Sequence, residues 1–186
     1  MSKAFLPLAI LLALGACGPQ PAQVTASLPA DAIVGAGDPL RSAAANTSVA
    51  FGSPRLLAGR PADAARAVAQ MEYLAVQIPN NPRFLGLSPT TGSQLVAARR
   101  EWRGALGIPA EQPPQAVIDS LYAAARALQA GQRDAAAAAL PASVFPQGGQ
   151  TALLRLASLP SLPLTNDAAV MVSQSLQRSE PNPGRF

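Results

Sequence analysis

Along most of this chain apolar residues recur at intervals of three and four, the spacing of one face of an α-helix. The clearest stretch begins at Pro61. Ala64, Val68, Met71, Ala75 and Ile78 fall on one side, and Asp63, Arg66, Gln70, Tyr73 and Gln77 on the other. Proline in the first turn, Asp63 near the positive end of the helix dipole and Pro79 at the far end suit a helix over about 61–79. Thr91-Gly92-Ser93-Gln94 then fits a capping box, in which the threonine accepts from the glutamine amide and the glutamine reaches back. The helix it opens runs to about Leu106, with Leu95, Ala98, Trp102, Ala105 and Leu106 on its apolar side.

Pro113-Pro114 opens the next amphipathic stretch. Val117, Leu121, Ala124 and Leu128 line up, and Ile118, Tyr122 and Ala125 widen the stripe. Gly131 suits a helix corner, and Asp134 to Leu140 is an alanine helix stopped by Pro141. A short helix is expected over about Thr151–Leu159. A last one is expected from Thr165, which can cap it, with Ala169, Val172 and Leu176 on one face. The pattern predicts an all-α fold: a small irregular bundle of five or six short helices, with a helical hairpin over 116–140. Gly131, Ala136 and Leu140 in that hairpin resemble the second half of a tetratricopeptide repeat. The first-half positions do not fit and no 34-residue recurrence exists, so the reading is one repeat-like hairpin within a bundle.

The segments between these stretches set the domain boundaries. Residues 18–46 are rich in Pro, Ala, Gly and Ser without sustained periodicity, and 17–48 reads as a flexible tether of about 30 Å. The helical domain is placed at 49–180 and a frayed tail at 181–186. Val49-Ala50-Phe51 and Leu56-Leu57 read as an arm packed on the domain, strand or not. Phe84, Leu85 and Leu87 sit in a loop over 80–89. They either fold back over the core or form an exposed apolar lip of a groove.

The first residues obey a different pattern. Met1-Ser2-Lys3 is a short positive start, Phe5 to Leu14 an apolar run, and Gly18-Pro19-Gln20-Pro21 a break. The run is too short to span a membrane, which takes about 20 apolar residues, and it fits a secretory signal. Leu14-Gly15-Ala16-Cys17 closes it. This motif resembles the lipobox of bacterial lipoprotein precursors, over residues 1–18 only. The resemblance implies that the signal peptide, residues 1–16, is cut off before Cys17. It also implies that the Cys17 thiol carries diacylglycerol and that the new amino group is acylated with a fatty acid such as palmitate. Several chains, at about 0.8 kcal/mol per buried methylene, make the attachment to the membrane effectively permanent. Gly18 directly after the cysteine, where an aspartate would favour the inner membrane, implies the outer membrane facing the periplasm.

Composition then removes chemistry. Cys17 is the only cysteine and there is no histidine, so intrachain disulfides, cysteine/histidine zinc sites, and Ser-His-Asp or Cys-His catalysis are excluded. No cofactor or metal site is expected. The formal charge is +4. Every basic residue after Lys3 is arginine, and the arginines are scattered, so nucleic acid is not an expected partner. Arg99, Arg100 and Arg103 form the one local cluster. They read either as a solvated face or as a contact to anionic lipid headgroups or an acidic partner. Glu72, Glu101, Glu111 and Asp119 lie on different elements and no spacing pairs them. Charged residues make up only 13% of the chain, so alanine, glutamine and serine cover much of the surface and contact with a protein partner fits such a surface.

The expected function is therefore that of a membrane-anchored lipoprotein with a non-catalytic helical domain, a structural or interaction component of the envelope. The alternative is a periplasm-facing carrier of a lipid or small hydrophobic ligand, with Phe84, Leu85 and Leu87 at its lip. An enzyme working through two carboxylates is the third reading.

Overall fold

The structure, a computed structural model, describes residues 25–32, 37–80 and 89–178. Among these residues it is all-α, with seven α-helices and two single turns of 3-10 helix. Helix α2 (Pro61–Asn80) is the centre. Twelve of its twenty residues are buried, and it packs against α1 (Pro39–Gly52), α3 (Pro89–Leu106), α4 (Pro114–Gln129) and α6 (Gly149–Ala157). Helix α7 (Pro163–Arg178) closes the bundle against α1 and α3. The short α5 (Arg133–Ala138) lies on α4 and α6.

Helix α2 was expected to be one-sided, and here the tertiary structure differs. Ala64, Val68, Met71 and Ile78 are buried as expected, but so are Gln70, Glu72 and Tyr73. A helix with neighbours on several sides has little polar face left. Small residues let those neighbours approach: Ala64, Ala65, Ala67 and Ala69 of α2 and Ala124 and Ala125 of α4 are fully or nearly fully buried. Trp102, Tyr122, Phe145, Met71 and the leucines fill the remaining space.

The hairpin over 116–140 forms. Gly131 takes the left-handed conformation at its corner, and the amides of Gly131 and Gln132 close back on the carbonyls of Leu128 and Ala127. Ala136 and Leu140 are buried beneath it. Helix α3 ends in the same way. Gly107, at φ +70°, donates to Gly104, and Ile108 donates to Arg103, a Schellman cap that a side chain at position 107 would strain.

The expected tether gives way earlier than residue 48. Helix α1 begins at Pro39, where the Asp38 carboxylate accepts from the Leu40 amide at 3.0 Å. It buries Leu40, Ala43, Ala44, Thr47 and Phe51. The proposed arm at 49–57 is thus the end of a helix followed by a 3-10 turn (Pro54–Leu56). Upstream, residues 25–32 lie along the domain as a strap. Gln77 Nε2 donates to the Ala26 carbonyl at 2.6 Å, Ser27 exchanges hydrogen bonds with Gln115, and Asp31 pairs with Arg126 at 3.0 Å. Two helix starts also move. Helix α3 opens at Pro89, so Thr91 lies within its first turn, and α7 opens at Pro163, with Thr165 inside it.

Candidate functional site

Among the described residues polar side chains gather in a closed cluster around Glu72 and in an open cleft beside Tyr122. The cluster forms because Glu72 occupies the α2 row of Val68 and Val76, four residues either way, and so faces the interior. Arg99, Trp102 and Arg103 of α3 stand three and four residues apart and share the face that meets it. Glu72 Oε1 accepts from Trp102 Nε1 at 2.9 Å and from Arg103 Nε at 2.6 Å. Its Oε2 accepts from Arg103 Nη2 at 3.0 Å and from Arg99 Nε at 3.1 Å, with Arg99 Nη2 in ion-pair contact at 3.0 Å.

Arg103 uses every remaining donor. Nη1 reaches the carbonyls of Pro109 and Ala110 at 3.0 and 2.9 Å, and Nη2 reaches that of Gln112 at 3.0 Å. All five guanidinium N–H groups are engaged, and the loop after α3 is pinned to the core. Burying a charge costs several kcal/mol unless partners of this quality replace water. A fully satisfied cluster has nothing left to offer a substrate, so its work is to join α2, α3 and the following loop.

The three arginines expected on one face are therefore parted. Arg103 is 3% exposed and belongs to the interior. Arg99 spans the rim with its guanidinium on Glu72, and Arg100 alone of the three is exposed. Glu101, on the same helix, serves α7. It accepts from the amides of Leu164 and Thr165 at 3.2 and 2.7 Å and from the Thr165 hydroxyl at 2.6 Å. The cap expected from Thr165 thus comes from a different helix, a carboxylate at the positive end of the α7 dipole.

The cleft holds about 180 Å³. Its walls come from the strap (Asp31, Ala32), α1 (Asn46, Ala50), Leu57, α2 (Asp63, Arg66, Ala67, Gln70) and α4 (Tyr122). Asp31 is paired with Arg126 at 3.0 Å, and Asp63 with Arg60 at 2.7 Å. Arg66 Nη2 donates to Gln129 Oε1 at 2.7 Å, while Arg66 Nε is buried with no hydrogen-bond partner. Gln70 Nε2 donates to the Tyr122 hydroxyl oxygen at 3.3 Å. Burial pushes the Tyr122 hydroxyl above its ordinary pKa. The Gln70 bond and the charges of Arg66 and Arg126 pull the other way, and Asp31 adds to the rise.

Sequence reasoning found neither place. It assigned Asp31 and Asn46 to a tether, and it saw the four glutamates and aspartates on separate elements without asking which arginine each would meet. The signal for the cluster was present: a carboxylate in a valine row, opposite arginines flanking the only tryptophan. Cys17, with Leu14, Gly15 and Ala16, and Phe84, Leu85 and Leu87 of the loop lie outside the described residues. Among the described residues no three Asp, Glu, Cys or His side chains gather as a metal site, and no helix is long and apolar enough to cross a membrane. No family model, curated protein or solved structure matches this chain.

Proposed function

We propose that this chain is a lipid-anchored protein of the bacterial cell envelope, attached through Cys17 at the periplasmic face of the outer membrane. Its helical domain acts as a docking component and not as an enzyme. The anchor rests on Leu14-Gly15-Ala16-Cys17 behind an apolar run. The observation that carries the docking role is the strap. Because residues 25–32 are bonded to α2 and α4, only residues 18–24 separate the anchor from the folded domain. Those eight steps from Cys17 to Thr25 reach at most about 28 Å. A domain held that close stays beside the membrane, which suits assembly with neighbours in the same membrane.

The reading as a lipid carrier finds less support. The apolar cavity between α1 and the segment before α7, lined by Phe51, Leu57 and Leu162, holds about 20 Å³, room for a water and not for an acyl chain. The two carboxylates that share the larger cleft are each engaged by an arginine, which leaves neither free for acid–base work.

Cross-linking in cells, followed by detergent extraction and pull-down, tests the proposal beside Cys17→Ser. The wild type is expected in the membrane fraction with a defined envelope protein attached, and the variant is expected to lose both. A wild type found in the soluble fraction would sink the anchor. A membrane-bound wild type recovered alone would sink the docking role.

A further inference from the structure

We propose that the cleft beside Tyr122 binds a small carboxylate. The inference does not depend on the anchor. Arg66 is the cation in the lining of the cleft, beside Asp31 and Asp63, and the two aspartates are paired with Arg126 and Arg60 outside that lining. Among the described residues Arg66 has no carboxylate partner.

Its geometry says what it lacks. Arg103 presents the edge formed by Nε and Nη2 to the two oxygens of Glu72. The same edge of Arg66 has the neutral Gln129 amide at Nη2 and no partner at Nε, although Nε is buried. An unsatisfied buried donor on a charged group is costly, and two parallel N–H groups match the two oxygens of a carboxylate. Gln129 is exposed and can yield its place. A carboxylate on this edge would pair the Arg66 charge and satisfy Nε in one contact.

Size and walls define the rest of the ligand. A cavity of about 150 Å³ holds a benzene ring, and this cleft is slightly larger. Ala50, Leu57 and Ala67 give it apolar wall, while Asn46 and Tyr122 supply hydrogen-bonding groups. The fitting class is a monocarboxylate with a body no larger than one ring or a short chain.

The test uses the full chain in detergent, titrated with sodium benzoate and, separately, with neutral benzamide. Binding is followed by NMR of the arginine Nε–H groups. One resonance, missing from Arg66→Met, is expected to move saturably with benzoate. Benzamide is expected to bind about ten-fold more weakly or worse, and Arg66→Lys, which keeps the charge but loses the fork, is expected to weaken benzoate about ten-fold. Equal binding of benzamide would overturn the proposal. So would an Arg66 resonance that stays still up to about 50 mM benzoate, or a drift shared by all arginines without saturation. The wild-type titration decides the matter even if a variant fails to fold.

Discussion

Arg103 and Arg66 are the same side chain in opposite circumstances. Arg103 enters the core, meets a carboxylate on its forked edge and three carbonyls on the rest, and has no unused donor. Arg66 stands in a cleft with a neutral amide on one nitrogen and nothing on the next. The first arrangement is finished by the chain itself, and so it holds helices together. The second is unfinished, and an unfinished polar site is where a ligand has something to gain. Burial alone does not distinguish these two arginines; completeness of the hydrogen bonding does.

The largest test of this contrast is Glu72→Leu. It strands Arg103 in the core and is expected to cost about 3–5 kcal/mol in urea unfolding. Arg103→Met should cost less in the Glu72→Leu background than in the wild type, the mark of coupled partners. Additive effects would show that the two act separately.

Trp102→Ala, which removes a fully buried indole and one donor to Glu72, is expected to cost about 3–5 kcal/mol. A thermal melt close to the wild type would mean that the cluster stands without it.

In the cleft the expected effects shrink. Tyr122→Phe removes the acceptor for Gln70 and is expected to cost about 0.5–1.5 kcal/mol at neutral pH. At high pH the order changes. Burial raises the folded pKa of Tyr122, and burial together with Asp38 raises that of Tyr73. The unfolded chain then releases these protons first and binds fewer of them. Stability should therefore fall as pH rises above about 10, the unfolded value, towards the folded pKa. Tyr122→Phe should lose less over that window than the wild type, and an equal loss would place the alkaline sensitivity elsewhere.

The smallest effect belongs to Arg126→Ala. Its pair with Asp31 is nearly half exposed, and such pairs are worth about 0–1 kcal/mol. A cost well above that would mean that this pair, more than the Gln77 and Gln115 bonds, fixes the strap.

Much of the bundle was legible beforehand. Helices α2 to α7 announce themselves through apolar spacing, and prolines open α2, α3, α4 and α7. Helix α1 was missed although Asp38-Pro39 is a good helix opening. Its buried face is Leu40, Ala43, Ala44, Thr47 and Phe51, and alanine, threonine, serine and asparagine read as linker when nothing shows what they pack on. Thr47 is tolerable inside because its hydroxyl donates back to the Ala43 carbonyl at 2.8 Å, a contact that exists only once the helix does. The strap was missed for a related reason. It is held by side chains of α2 and α4 more than fifty residues away in sequence, and no local pattern marks such a partner.

The sequence by itself determined the helical class, most helix positions and the absence of histidine, because these follow from periodicity and composition within a single stretch of chain. The tertiary structure alone decided which charges are inside. Glu72 and Arg103 are both charged residues on amphipathic helices, and their fate depends on each other's position across a helix pair. The cost of burying either one is recovered by the other together with the donors and carbonyls around them, and that arrangement is a property of elements in contact and not of any one stretch of sequence.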